Sequence, residues 1–149
     1  MPGLLTHSPA KIVQQLLINN GLGTAPVAGD AWPVYVSSEP DLPDQVITVS
    51  NGVDQIVGFS QPDRQCEEFH GIQIRVRGLN NSDTHTKIHE IAIALDQDIY
   101  RQEVVIDSST YCVHSINRTS GPFDLGKNVP NSRRSLFTVN GLSYLLQLS

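Results

Sequence analysis

The sequence has little of what marks secreted, redox-active or membrane proteins. Only two cysteines, Cys66 and Cys112, occur among 149 residues, too far apart for a CxxC motif and too few for a disulfide framework. They are expected to remain free thiols in a reducing compartment. The N-terminal segment has no basic cluster with an apolar core, and no run approaches the roughly 20 apolar residues of a membrane span. The sequence therefore predicts a chain that is made in the cytoplasm and stays out of membranes.

Basic residues are also scarce. Ten lysines and arginines stand against fifteen acids, which gives a formal charge of −5, whereas nucleic-acid binders normally carry a basic excess. Seven of the acids lie between positions 39 and 68 with a single arginine, and from position 69 onward the balance is slightly positive. Two interpretations of this asymmetry stay open: a solvated acidic loop surface, or a subunit whose two sides attract each other.

Helical signals occur twice along the chain. Ser8 supplies an N-cap oxygen before a proline, and apolar residues at helical spacing, followed by glycines, predict a helix over residues 9–20. Ser82 or Asp83 is expected to cap a second helix that runs to about Tyr100. One apolar face of this second helix is expected to cover a sheet.

Segments rich in alternating and β-branched residues predict strands on either side of the second helix. The clearest, over residues 71–78, directs isoleucine and valine to one side and polar residues, including Arg75 and Arg77, to the other. Residues 58–69 have no steady period and are expected to be irregular, and the segment 120–132, rich in proline and glycine, is expected to be a long loop. Further strands are predicted at residues 32–36, 45–50, 104–106, 110–117 and 134–146. The order predicts a single α/β (α+β) domain over the whole chain, with a mixed β-sheet and two helices packed on one face.

The residues that could carry chemistry form no known catalytic motif. His85 and His89 are four apart on the second helix, but the HExxH motif of metalloproteases and a third ligand are missing. Cys112 and His114 are two apart on a strand, but a catalytic cysteine normally occupies an electropositive, partly exposed position. We therefore expect no catalytic residues, no metal and no cofactor. A small metal- or thiol-dependent enzyme is the alternative from another functional class.

Four residues are candidates for a subunit interface. Arg75 and Arg77 are expected to face solvent, where planar guanidinium groups pair well with acids of a neighbouring subunit. Ile93 and Tyr100 are seven apart on the predicted helix, at matching azimuth and away from its sheet-facing side. Reversing the charge of either arginine is expected to weaken assembly and to leave the monomer folded.

The order of the segments resembles that of one known family. The capped helix SPAKIVQQLLI is followed by WPVYV and PDLPDQVITV, then by the strand GIQIRVRG and directly by the helix SDTHTKIHEIAIALDQDI. The loop GPFDLGKN and the strand RRSLFTVNGLSYLL complete the order. This arrangement is similar to the minor capsid, or tail terminator, proteins of long-tailed (siphovirus-type) bacteriophages. The resemblance covers nearly the whole chain, and the junction between GIQIRVRG and the following helix is its most specific part.

The resemblance implies a structural subunit of the virion without catalytic residues. Such subunits close into a ring, generally a hexamer, that caps the tail tube, stops its polymerisation and docks to the head–tail connector. The genome passes through the lumen without specific binding. Candidate residues for contacting tube and connector lie in the acidic loop and near the last strand: Glu39, Asp41, Asp44, Phe123, Asp124, Lys127, Arg133 and Arg134. A head-closure, or stopper, protein of the same connector is the neighbouring alternative.

Overall fold

The computed structural model describes residues 5–26, 31–39, 44–52, 55–60, 65–127 and 134–148. Two helices and eight strands lie within these ranges. In chain order they are α1 (Pro9–Asn19), β1 (Val34–Val36), β2 (Val46–Asn51), β3 (Gln55–Ser60), β4 (Gln65–Gly78), α2 (Asn81–Gln97), β5 (Tyr100–Ile106), β6 (Ser109–Arg118), β7 (Phe123–Lys127) and β8 (Ser135–Gln147).

The strands form a mixed sheet, as predicted. Its order is β1-β2-β4-β8-β6-β5, and β3 and β7 are added to β4 and β8. β1 and β2 are parallel, whereas the other pairs are antiparallel. Helix α1 contacts β1 and β2 at one edge of the sheet and β5 at the opposite edge. The sheet therefore curls around the helices.

Both helices pack on the concave face of the sheet. The inward side chains Ile72, Ile74 and Val76 of β4 belong to the same hydrophobic cluster as Leu16 of α1 and Ile88 of α2. Each of these side chains is 2% exposed or less. Full burial of such a side chain contributes about 1.5–3 kcal/mol. The shared core confirms the prediction of one domain with two helices on one face.

Helix α1 begins and ends as its sequence predicts. The Ser8 hydroxyl accepts a hydrogen bond from the Lys11 backbone N–H, which would otherwise lack a partner. After the last turn, Gly21 adopts a φ of 74°, in the left-handed region that glycine enters without steric cost. The Leu22 N–H then bonds back to the Leu17 carbonyl at 3.0 Å, the usual closure of a helix by such a glycine.

The N-cap of α2 is Asn80, which lies before the predicted caps Ser82 and Asp83. The side-chain oxygen of Asn80 accepts a hydrogen bond from the Asp83 N–H at 2.9 Å. The passage from β4 into the helix is tight, because a Cβ at Gly78 would lie 2.2 Å from the Thr84 hydroxyl oxygen. Glycine is therefore required where the strand GIQIRVRG meets the helix.

Helix α2 ends earlier than its periodicity predicts. Its last residue is Gln97, and Tyr100 pairs with Ser115 as the first residue of β5. The spacing of the apolar residues would have allowed the helix to continue to Tyr100. Instead, Tyr100 forms strand pairs with β6. The prediction that Ile93 and Tyr100 share a helix, and with it the argument from matching azimuth, is wrong.

Two segments predicted to lack regular structure contain strands. Residues 58–69 include the end of β3 and the start of β4, which pair with each other, and the segment 120–132 includes β7, which pairs with β8. Register shifts next to Gly58 and Gly126 interrupt both ladders. A β-bulge breaks the period of two on which recognition of a strand in a sequence depends.

The outer face of the sheet is partly covered by the described ends of the connection between β1 and β2. Arg77 is 2% exposed between its cross-strand neighbours Val46 and Leu136. Its Nε donates to the backbone carbonyl of Asp44 at 3.3 Å. The prediction that Arg77 faces solvent is wrong, because the described ends of this connection, at Glu39 and Asp44, lie against this part of the face.

Candidate functional site

The charges predicted to contact other subunits meet within the chain. A guanidinium nitrogen of Arg75 lies 3.9 Å from Glu39, and Arg134 donates from Nε to the Asp44 carboxylate at 2.8 Å. Both pairs are partly exposed, so each contributes at most about 1 kcal/mol to stability. At these positions the acidic and basic halves of the sequence are joined across the outer face of one subunit.

The other predicted contact residues are spread over the molecule. Ile93 lies on the outward side of α2 and Tyr100 at the start of β5, and they are 52% and 62% exposed. Lys127 ends β7, whereas Asp41 and Arg133 lie outside the described residues. All the exposed large apolar side chains of the described part of the chain, except Ile93, lie near one or the other end of β8, and we group them as two patches.

The first patch lies on the convex side of β5, β6 and β8, and we name it the outer-face patch. It consists of four side chains that are 41–62% exposed: Tyr100, Val105, Leu146 and Leu148. The Leu148 N–H donates to the carbonyl of Thr110, whose partner on β5 is Val105. Leu146 lies beside β6 at Cys112. The register of the strands therefore brings these side chains together on one surface.

A row of rings extends the outer-face patch across the sheet. Tyr100 contacts His114, His114 contacts Tyr144, and Tyr144 contacts Phe69, with ring centroids 5.4–5.7 Å apart. The rings come from four neighbouring strands, β5, β6, β8 and β4. Tilted and edge-to-face pairs of this kind add about 0.5–1.5 kcal/mol each beyond area burial. Partly exposed tyrosines are typical of contact sites between proteins.

The second patch lies at the other end of β8, and we name it the β7 patch. It consists of three side chains that are 43–46% exposed: Leu79, Phe123 and Leu125. The Asn81 amide donates to Asp124 at 3.2 Å and so joins the start of α2 to β7. β7 pairs with the first residues of β8, whereas Leu146 lies near its last residue. At about 3.3 Å per residue, roughly 30 Å of strand separate the two patches.

The histidines and the cysteine singled out from the sequence do not converge. His85 and His89 lie on the exposed side of α2 with ring centroids 4.2 Å apart, and no third metal-binding side chain joins them within the described ranges. Cys112 is a half-buried free thiol. His114 contacts the tyrosine rings of the row, and no hydrogen bond links these two described side chains. Within the described residues these side chains therefore form no cluster of three metal-binding groups.

A pocket outside the predicted candidate sites lies beside the first half of α2. Its volume is about 380 Å³, and its lining consists of Trp32, Gln45, Asp83, Thr86, Lys87 and Glu90. The Lys87 ammonium is 5.5 Å from the centroid of the Trp32 ring and 3.7 Å from a Glu90 carboxylate oxygen. Trp32 adopts a φ of 56°, a conformation that costs roughly 1–3 kcal/mol and clusters at functional positions.

Lys87 is the buried charge of this pocket. Its side chain is 10% exposed, and desolvation by burial lowers its pKa, although the charge of Glu90 and a hydrogen bond to it offset part of the effect. A buried ammonium whose carboxylate partner is 3.7 Å away is destabilising relative to an apolar side chain of similar length. The charge of Lys87 is therefore expected to cost folding free energy.

Replacing Lys87 by methionine is expected to raise the free energy of unfolding near pH 7. The pKa of Lys87 in the folded state lies below its ordinary value of 10.5, so the folded protein binds fewer protons than the unfolded chain between these two values. Wild-type stability therefore rises with pH in this window, and the advantage of Lys87→Met shrinks as the pH approaches 10.5. Urea titrations at neutral and alkaline pH measure both effects. Lys11→Met, at an exposed lysine, is the control, and a Lys87→Met variant less stable than wild type at neutral pH would contradict the prediction.

The sequence matches no protein-family model and no curated protein. Within the described residues, neither helix is long and apolar enough to cross a membrane. A proposal for function therefore rests on the two patches, the pocket and the order of the sequence segments.

Proposed function

We propose that this chain is a structural subunit that associates head to tail with copies of itself and closes into a ring. The supporting observation is the presence of two unlike apolar patches at opposite ends of β8. A ring requires a heterologous interface, in which one side of a subunit meets a different side of its neighbour. The outer-face patch of one copy and the β7 patch of the next supply these two sides.

Within this class we propose a tail terminator of a long-tailed bacteriophage. The order of the sequence segments supports it, as does the small α+β subunit in which the strand GIQIRVRG passes directly into α2. The ring, a hexamer, caps the head-proximal end of the tail tube, stops its polymerisation and offers a docking surface to the head–tail connector. A formal charge of −5 suits a lumen through which DNA passes without sticking, because a basic lining would retain the phosphates.

The surfaces toward tube and connector are proposed to lie in the segment around Glu39 and Asp44, outside the two patches, and in the segment 121–131, whose residues Phe123 and Leu125 also belong to the β7 patch. Glu39 and Asp44 are held by ion pairs on the outer face, which gives these two residues a defined position on the sheet. Residues anchored in this way suit a contact that must repeat identically around a ring.

The mass of the particle in solution tests the ring. Light scattering over a range of protein concentrations is expected to give a multiple of 16.3 kDa, six chains for the hexamer. Purified tail tubes and DNA-filled heads then separate the two connector roles: a terminator binds tube ends first and stops the addition of tube protein. Binding to heads and not to tubes would favour the stopper. A mass of one chain under every condition, tube ends included, would contradict the proposal.

A further inference from the structure

Arg101 is the exposed base beside the outer-face patch. Its guanidinium lies 5.2 Å from the centroid of the Tyr100 ring and contacts no carboxylate among the described residues. Three other arginines, by contrast, pair with acids of the same chain: Arg75, Arg118 and Arg134. Arg101 also adopts a φ of 51°, a left-handed conformation that is unfavourable for a long side chain within a strand. Such strain at an exposed residue points to a constraint other than folding.

The pocket beside α2 has the lining that recognises a guanidinium. Two carboxylates, Asp83 and Glu90, stand against one ammonium, Lys87, so the pocket carries one net negative charge. The Trp32 ring offers a face on which a planar cation stacks, and the Gln45 amide offers an acceptor. The surplus of carboxylates disfavours the binding of an anion in the pocket, and the charged lining disfavours the binding of an apolar segment. A basic side chain of a partner protein therefore fits this pocket best.

Arg101 and the pocket lie at opposite ends of the sheet. Gln45 immediately precedes Val46, whose partner on β4 is Arg77. Tyr100, next to Arg101, is connected through the aromatic row to Phe69, near the other end of β4. The stretch of β4 between these two positions spans roughly 26 Å at about 3.3 Å per residue. Arg101 therefore cannot reach the pocket of its own chain, but a head-to-tail neighbour presents it to the next copy.

We propose that Arg101 of one copy inserts into the Trp32–Lys87 pocket of the next copy around the ring. This contact rests on the proposed head-to-tail function and identifies the partner of the pocket as a second copy of the chain. The guanidinium pairs with Asp83 and Glu90 beside the Trp32 ring, so that two carboxylates balance two cations, Arg101 and Lys87. Complementary charges of this kind fix the register between subunits more than they add raw affinity.

Charge reversal at both sides of the contact tests the proposal. Arg101→Glu and Glu90→Arg are each expected to weaken subunit association by about tenfold or more, measured by sedimentation velocity over a concentration series. The double variant restores association, because the exchanged charges face each other again and Lys87 lies beside the new carboxylate. Lys11→Glu makes the same charge change as Arg101→Glu at an exposed residue of α1 and leaves association unchanged. Arg101 and Glu90 are both exposed, and circular dichroism checks that each variant is folded.

Trp32 provides a second readout, because it is the chain's one tryptophan. Its emission is expected to change as the wild type assembles and to stay constant in Arg101→Glu at the same concentrations. If the wild type forms a ring, and both single variants associate as strongly and show the same Trp32 emission, this contact is overturned. The proposed ring would not be affected by that result. A wild type that remains at the mass of one chain under every condition, tube ends included, would overturn both the contact and the proposed function.

Discussion

Reversing the charge of Arg77 is expected to destabilise the fold by roughly 3–5 kcal/mol, a large part of the 5–15 kcal/mol that holds a typical domain together. Arg77 is 2% exposed, and its Nε donates to the Asp44 carbonyl on the outer face of the sheet. Arg77→Glu places an acceptor-only carboxylate where this donor stood, between Val46 and Leu136. The carboxylate is then buried without its partner, and the Asp44 carbonyl loses its donor.

Arg75 supplies the matched control two residues earlier on the same strand. Its side chain is 34% exposed and its partner Glu39 is 3.9 Å away, so Arg75→Glu is expected to cost only about 1 kcal/mol. Urea unfolding followed by circular dichroism measures both variants under one condition. Equal, small losses for the two substitutions would show that Arg77 is solvated as its strand pattern predicts, and would contradict its burial on the outer face.

Local patterns predicted much of this fold. The Ser8 cap, the glycines after α1 and the alternation over residues 71–78 concern neighbours in the chain, and the structure confirms each of them. The mixed sheet with two helices on one face followed from the order of these elements. Where the period is broken by a bulge, as next to Gly58 and Gly126, the strand could not be predicted, because its pairing depends on a partner elsewhere in the sequence.

The burial of Arg77 shows a second limit of structure prediction from local sequence patterns. Alternation correctly placed its side chain opposite Ile74 and Val76, on the outer face of the sheet. Whether that face is solvated depends on the residues that lie against it, among them Asp44, whose backbone carbonyl accepts a hydrogen bond from Arg77. A contact between positions 44 and 77 is set by tertiary structure, and no local pattern encodes it.

The candidate contact surfaces could be predicted only in part. Tyr100 was predicted as an exposed contact residue and is exposed, but through β5 and not through α2. The pocket joins Trp32 before β1 to Lys87 in α2, and these residues are 55 positions apart in the sequence. One signal was available: Lys87 precedes Ile88 and lies four residues before Ile91, on the side of α2 that packs inward. A lysine at such a position indicates that the aliphatic part of its side chain is buried and that its ammonium lies near a pocket or an interface.

The largest effect expected from the head-to-tail arrangement is on the association of two variants, measured alone and as a mixture. Leu146→Asp damages the outer-face patch and Phe123→Asp the β7 patch, and both side chains are more than 40% exposed, so each variant is expected to remain folded. Alone, each variant is expected to associate about 100-fold more weakly than wild type, because every contact in a ring pairs one patch with the other. Ile93→Asp, at a residue outside both patches, tests whether α2 contributes to the contact between subunits, as the sequence predicts.

Mixing Leu146→Asp with Phe123→Asp in equal amounts is then expected to yield dimers, with twice the mass of the 16.3 kDa chain. The intact β7 patch of the first variant meets the intact outer-face patch of the second, and the two damaged patches left at the ends stop further growth. If each patch instead met its own copy across a two-fold axis, either variant alone would keep one working interface and would dimerise without its partner. Light scattering of the three samples therefore separates a ring-forming subunit from a symmetric dimer by mass alone.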